Sequence, residues 1–288
     1  MLRSTTARHS VYSVQVWHTR PQGIRALTPH LYLTIGDYAP FAIKPDKKSP
    51  NCSEPGTQKQ RNIVGASVDL VLDFAACCLP PGTTTQFSTN TTWSTLLADF
   101  SRGQFDMAVG GISVTDARRE VVSFSTALYH DPKVAVFSCS NKTLLQVLGS
   151  DNSVAMMDEL RGFGTRLPVV VNPGGTNERF VRDQLPRANV SITDVNGKQF
   201  SLILANSELL TITDQSEARL WAKNGLCASK SLQIAAAVVS KAWVLQKHDE
   251  DTADQWLWQQ CVNSYLVDAG ARGILEDRLD LWLERCTV

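Results

Sequence analysis

The sequence predicts an α/β fold with largely parallel sheets, and three observations predict it. Short β-branched or apolar runs recur from Leu31 onward, they alternate with stretches of helical periodicity, and several end in Gly or Pro turns that open a helix. In order, "LYLTIGDYAPFAI" reads as a strand ending in a Pro-containing turn, "GASVDLVLDFAACC" as a helix, "FDMAVGGIS" as a buried strand and "KVAVFSCS" as another. "LPVVVNPGG", "NVSITDV", "ELLTITD" and "KAWVLQ" continue the strands, with helices near 177–187, 198–206 and 215–223. From Asp251 to Arg285, the spacing of Trp256, Trp258, Leu266, Ile274, Leu275, Leu279 and Trp282 predicts two amphipathic helices. Lys44–Asn62 and Val147–Arg166 read as inserted surface loops.

The chain of 288 residues can hold one large domain or two lobes, and 43% hydrophobic content is enough to fill their cores. Lys plus Arg equals Asp plus Glu at 28 each, so no overall field draws nucleic acid or an anionic membrane. The longest apolar runs, such as Ile234–Val239, are far too short to span a bilayer. The partner expected is therefore a small molecule, and any anionic group on it must be held by local charge.

Residues 1–30 carry Arg3, Arg8, Arg20 and Arg25 among many Ser and Thr, and no acidic residue precedes Asp37. This extension is closer to a transit peptide than to a secretory signal, which needs an apolar segment absent here; the expected compartment stays open between secreted and cytoplasmic or organellar. The seven cysteines form no CxxC and no metal-type spacing with the five His, so no metal is expected. Asn-x-Ser/Thr sequons begin at Asn51, Asn90, Asn141 and Asn189.

Three strand ends share one design. In "GGISVTDARRE" a strand ends at Gly110-Gly111, and Ser113 or Thr115 can cap the helix carrying Arg118. In "VVVNPGGTNERF" Thr176 can cap the helix after Gly174-Gly175, and in "TITDQSEAR" Asp214 opens a helix with Glu217 three residues later. Carboxyl ends of strands and helix N-termini face one crevice in such sheets, which predicts one polar pocket suited to anions. The plain alternative is three capped helix starts whose polar residues satisfy backbone groups, and for Asp214 and Glu217 the capping-box spacing supports it. Tyr38 and Trp93 each follow polar residues where a strand should end at the cleft, or are ordinary core aromatics.

Taken together and in this order, "GDYAPFAI", "TTWSTLLADFSRGQFDMAVGGISVTDARREVVSFS", "VNPGGTNERFV" and "TDQSEARL" resemble the cyclohexadienyl dehydratases, which are prephenate/arogenate dehydratases on the periplasmic type II solute-binding fold. The likeness runs from about Leu31 to Leu283. It implies two lobes with a ligand cleft between them: lobe one at 31–137 and 236–288, lobe two at 138–235, with crossings near Ser138 and Gln233. It implies Glu217 as general acid and Lys133 as active-site lysine. Arg118 with Ser113 and Gly111 would grip a carboxylate, Asn172, Gly175 and Thr176 would form an anion site, and Tyr38 and Trp93 would wall the cleft. Asp214 would face an amino group without requiring one. The resemblance further implies decarboxylative dehydration of prephenate to phenylpyruvate or of arogenate to phenylalanine, with no cofactor. Gly65-Ala66-Ser67 departs from the family's usual Gly-Phe-Asp. Cys139 and Cys227, near the crossings, would pair in an exported protein. The rival expectation is a non-catalytic receptor in which Arg118 grips an α-carboxylate and Asp214 an amino group; a third is a degenerate, inactive family member.

Overall fold

A computed structural model describes residues 30–35, 38–43, 51–52, 63–88, 90–91, 93, 95–149, 153–222, 225–232, 238–247 and 253–287. Almost all of the expected N-terminal extension at 1–30 and of the expected loop at 44–62 lies outside them. The chain runs β1 (His30–Ile35), β2 (Asn51–Cys52), α1 (Ala66–Cys78), β3 (Thr84–Ser88), α2 (Leu96–Ser101), β4 (Met107–Val109), α3 (Asp116–Arg119), β5 (Ser123–Phe124) and β6 (Tyr129–Ser138). It continues through α4 (Lys142–Leu148), α5 (Ser153–Phe163), β7 (Pro168–Val171), α6 (Thr176–Gln184), β8 (Asn189–Ile192), α7 (Lys198–Ala205), β9 (Leu210–Asp214), α8 (Gln215–Trp221) and β10 (Leu226–Ala228). It closes with β11 (Val238–Lys241), β12 (Val244–Leu245), α9 (Ala253–Ala271), α10 (Ile274–Arg285) and β13 (Cys286–Thr287). Among the described residues no helix is long and apolar enough to cross a membrane.

Two main sheets organise these elements. The first has the order β3-β1-β4-β12-β5, with β1 parallel to β3 and β4 and with β12 antiparallel to β4 and β5. The second has the order β10-β6-β9-β7-β8, with β11 also on β6; β7 is parallel to β8 and β9, while β6 is antiparallel to β9, β10 and β11. The α/β class thus holds, but parallel pairing is confined to strands joined by helical crossovers. Strands that carry the chain from one sheet to the other pair antiparallel.

The chain changes sheets at two points, which sheet membership locates. The whole of β6 belongs to the second sheet, so the chain leaves the first between Phe124 and Tyr129, not near Ser138. It returns between Lys241 on β11 and Val244 on β12, and Gln233 lies outside the described residues. The reason is physical: β6 is buried on both faces, and an apolar run does not encode which sheet it joins. Along it, Val134 and Val136 pack with Phe200, Ile203 and Ala218 on one face. Ala135 and Phe137 pack with Leu144, Leu148 and Met156 on the other, the two-residue period of a strand covered by helices on both sides.

The segment 147–166 is another correction. Most of it is α5, whose Met156, Met157 and Leu160 are buried at helical spacing; the glycines that argued for a loop cluster at its end, where Gly164 has φ +55°. In the first lobe the core gathers around Phe74, whose ring packs against Trp243, Trp258 and Tyr265. That places the C-terminal helices behind the first sheet and leaves its strand ends facing the second lobe. Cys139, just beyond β6, and Cys227, on β10, form a disulfide, and Asn141 caps α4 by accepting from Leu144 N at 3.0 Å.

Candidate functional site

The site starts from one cross-strand pair. In the β6–β9 ladder Lys133 stands directly opposite Asp214, and its Nζ lies 2.6 Å from Asp214 Oδ1. Lys133 Nζ also donates to Thr176 Oγ1 at 3.1 Å and to Asn177 Oδ1. Asn177 Nδ2 in turn donates to Asn172 Oδ1 at 3.1 Å and to Thr213 Oγ1 at 3.2 Å. The ends of β7 and β9 and the start of α6 are therefore tied together through one ammonium.

Lys241 completes the pair. Its Nζ lies 2.5 Å from Asp214 Oδ2 and donates to Ser113 Oγ at 2.9 Å. Its backbone bridges to Ser113, and its carbonyl accepts from Leu128 N at 2.7 Å, so it sits where the two lobes join. From the first lobe, Tyr38 reaches across: its hydroxyl donates to Asp214 Oδ2 at 2.8 Å and to Glu217 Oε2 at 3.2 Å. Thr213 also donates to Glu217 Oε2. Trp93 stacks on the Tyr38 ring with centroids 5.7 Å apart, and Arg118 lies 5.8 Å over Trp93 while donating to the Ser113 carbonyl at 2.7 Å. Gly111 has φ +66°, and a Cβ there would lie 2.6 Å from Phe41 and 2.8 Å from Tyr38 ring atoms, so only glycine admits the aromatic wall.

Burial sets the electrostatics. Lys133, Asp214, Glu217 and Lys241 are 1, 1, 3 and 2% exposed, which removes the water that would screen them. Burial alone would raise the Asp214 carboxyl; the ammoniums of Lys133 and Lys241 overcome it and hold the group well below its ordinary value. Glu217 meets the opposite fate. Burial lifts its carboxyl to about 7, the Asp214 charge adds to the lift, and bonds from Thr213 and Tyr38 oppose it. Burial drives the Tyr38 phenol well above its usual range, with the Asp214 and Glu217 charges adding to it, so it stays a neutral donor. Burial pulls Arg118 and Lys133 downward, and Asp214 resists both shifts.

These contacts separate residues that cap their own helices from those that turn to the shared polar cluster. Thr115, not Ser113, caps α3 by accepting from Arg118 N at 3.3 Å. Gly175 rather than Thr176 is the N-cap of α6, and Thr176 spends its hydroxyl on Lys133. One amide of the Pro-Gly-Gly turn is already occupied, since Gly174 N donates to Glu178 Oε2 at 2.9 Å. Asp214 is the N-cap of α8 but makes no side-chain cap bond, and its oxygens face the lysines instead. Asp131 takes over that job, accepting from Ser216 N at 3.0 Å and Ser216 Oγ at 2.5 Å. Tyr38, Trp93, Gly111, Ser113, Arg118, Lys133, Asn172, Gly175, Thr176, Asp214 and Glu217 thus all lie around one buried cluster. Sequence reasoning missed Lys241, Asp131, Asn177 and Thr213. A lysine inside the apolar run "VVSKAWVL" is the readable signal for Lys241, and the position of Asn177 directly after Thr176 in "NPGGTNE" is the signal for Asn177. Among the described residues no three His, Cys, Asp or Glu side chains converge to hold a metal ion.

The likeness to known proteins follows the same outline. Residues 34–284 match the Bacterial extracellular solute-binding proteins, family 3. The chain is 27% identical over 254 residues to the cyclohexadienyl dehydratase of Pseudomonas aeruginosa, covering 87% of this chain and 81% of that protein. Among solved structures, an amino acid ABC transporter substrate-binding protein from Streptococcus pneumoniae bound to L-arginine aligns with TM-score 0.69 at 20% identity, over 90% of this chain and 96% of that one. An ancestral amino-acid-binding protein, described as a precursor of cyclohexadienyl dehydratase, aligns with TM-score 0.68 at 19% identity, over 88% and 95% of the two chains. At these identities the structural likeness establishes the two-lobe type II architecture, and the match across nearly the whole length establishes more. The chain belongs to the bacterial extracellular solute-binding proteins of family 3.

Proposed function

We propose that this chain is a cyclohexadienyl dehydratase, a lyase that uses Glu217 as general acid to convert prephenate to phenylpyruvate or arogenate to phenylalanine. The observation that carries this reading is Glu217 itself: a buried carboxyl lifted to about 7, bonded to hydroxyl donors and set beside a cluster of cations. A receptor that only holds its ligand gains nothing from a protonated acid of this kind, whereas a reaction that expels hydroxide needs one. Similarity to the Pseudomonas aeruginosa dehydratase supports the same choice.

In the proposed reaction the ring carboxylate leaves as CO2, and the electron pair of the broken C–C bond enters the ring and expels the C4 hydroxyl. Glu217 supplies the proton that turns the departing hydroxide into water and is reprotonated from solvent afterwards. Aromatisation provides the driving force, so no cofactor takes part. Arg118, Lys133 and the α6 start at Thr176 hold the substrate's carboxylates, and the apolar face of Trp93 lets the ring carboxylate shed its charge as CO2. The proposed lobes are 31–137 with 236–288 and 138–235, and the bond from Tyr38 to Glu217 at 3.2 Å supports a cleft shared between them. The Cys139–Cys227 disulfide suits an oxidising compartment.

The test is turnover of prephenate by the purified protein, followed by ultraviolet absorbance of phenylpyruvate, beside the Glu217→Gln variant. Turnover abolished in the variant supports the reading. No turnover by the wild type, with thermal stabilisation by amino acids, makes the protein a receptor instead.

A further inference from the structure

Far from the strand ends, where α1 packs on α9, stand three cysteines that belong to no disulfide: Cys77, Cys78 and Cys261. The Sγ atoms of Cys77 and Cys78 are 2.7 Å apart at the C-terminal end of α1, and Cys78 also shares a hydrogen bond with Cys261 of α9. We infer that this trio is a thiol–disulfide exchange site for small thiols. Cys78 and Cys261 close into a disulfide that ties α1 to α9, and Cys77 is left as the thiol that carries a mixed disulfide.

Helical spacing explains the pairing. Phe74 and Cys78 lie four apart on one face of α1, and the Phe74 ring packs against Trp258 and Tyr265, which flank Cys261 along α9. One turn earlier, Leu70 O accepts from the Tyr265 hydroxyl at 3.1 Å. These contacts step along both helices and bring Cys78 to Cys261. A bond between Cys77 and Cys78 is disfavoured, because successive side chains on a helix diverge by about 100°. Cys77 instead donates to Phe74 O at 3.6 Å and stays exposed, while Cys78 and Cys261 are half-buried against the first-lobe core. The sulfurs form a chain with Cys78 in the middle and do not converge as metal ligands do.

Protons and access set the chemistry. The bond to Cys261 and burial together hold the proton on Cys78, and the same bond pulls the Cys261 thiol down while burial opposes it. Cys261 is therefore the first thiolate. Its sulfur attacks a low-molecular-weight disulfide, RSSR, forming Cys261–S–SR and expelling RS⁻, which takes a proton from solvent. Cys78 then attacks the Cys261 sulfur, and its proton leaves with the second RS⁻ as RSH. Two protein thiols are oxidised and one RSSR is reduced to two RSH. At Cys77 a further RSSR gives Cys77–S–SR and one RSH, and with Cys78 already bonded no neighbouring thiol resolves it. The Cys139–Cys227 disulfide suits the chain to a compartment where such oxidants are present.

The inference is independent of the dehydratase reading. In the experiment the purified full chain is equilibrated with reduced and oxidised glutathione, quenched with acid, alkylated and mapped by peptide mass spectrometry, with the Cys139–Cys227 peptide marking complete oxidation. The expected map links Cys78 to Cys261 and places glutathione on Cys77 alone of the three. All three alkylated while Cys139 and Cys227 are linked, or a link from Cys77 to Cys78, overturns the proposal, and this arm needs no variant to fold. Cys77→Ser should keep the link and lose glutathione from the trio; loss of the link in that variant also overturns it. Cys261→Ser should lower the melting midpoint of the oxidised protein by at least about 5 °C, the effect of losing a disulfide that closes a long loop. An unchanged midpoint would mean that no bond ties α1 to α9.

Discussion

The helix starts after β7 and β9 look alike in sequence and do opposite things. At α6, Glu178 folds back onto its own turn, accepts from Gly174 N and pairs with Arg182, so this carboxylate is spent at the surface while Thr176 and Asn177 turn inward to Lys133. At α8, neither Asp214 nor Glu217 serves its own helix; Asp214 turns to two lysines and Glu217 to Thr213 and Tyr38, all out of water. A carboxylate that caps its own helix is spent. One released from that duty, because Asp131 performs it from another strand, is available for chemistry.

Substitutions that break this contrast should rank accordingly. The largest effect belongs to Glu217→Gln, for which kcat is expected to fall about 10²- to 10⁴-fold with KM little changed, since the amide keeps the shape but has no proton to give. A wild-type rate in that variant would place the acid elsewhere. The same carboxyl sets a pH limb. Glu217 is protonated below about 7 and ionised above it. A general acid must carry its proton, so kcat/KM should fall by about tenfold per pH unit above that point. The limb should be missing from any residual activity of the glutamine variant.

Lys133→Met removes one of the two buried cations that hold Asp214 and strips Oδ1 of its ammonium, leaving only Lys241 on Oδ2. The expected loss is about 3–5 kcal/mol in denaturant unfolding, and an unchanged midpoint would mean that solvent reaches the pair. Gly111→Ala tests a third strand end, at β4. The added Cβ meets the Phe41 and Tyr38 rings in a left-handed backbone, and about 1–3 kcal/mol should be lost, with a higher KM as Tyr38 moves. The smallest change is expected from Glu178→Ala. It removes a surface cap worth under about 1 kcal/mol and should leave turnover within about twofold. A tenfold loss of kcat there would bring the Glu178 carboxylate into the chemistry and erase its contrast with Glu217.

Much of the site was legible because it sits in contiguous signatures. Strand, glycine turn and capping residue lie side by side in "VVVNPGGTNE" and "TDQSEAR", and local backbone chemistry reads along the chain. The partners of those residues come from far away. Tyr38 meets Glu217 across 179 positions and Lys241 meets Ser113 across 128, and nothing in either segment names the other. The sheet that β6 joins is hidden for a related reason. Its apolar alternation states that it is buried, but its sheet is chosen by β9, β10 and β11, which follow it by many residues. At α5 the error was one of weighting, since glycines at the end of a segment were allowed to outvote buried methionines at helical spacing within it.

By itself, the sequence determined the α/β alternation and the order of the strand ends, because periodicity and turn chemistry are local; the expected roles of Glu217 and Lys133 came into view only through the resemblance to a family. Only the tertiary structure decided which carboxylate would be charged and which protonated. Asp214 and Glu217 are three residues apart on one helix start, and as free side chains both are ordinary carboxylic acids, ionised at neutral pH. Two lysines from different strands reach Asp214, hydroxyls reach Glu217, and burial then drives their proton affinities in opposite directions.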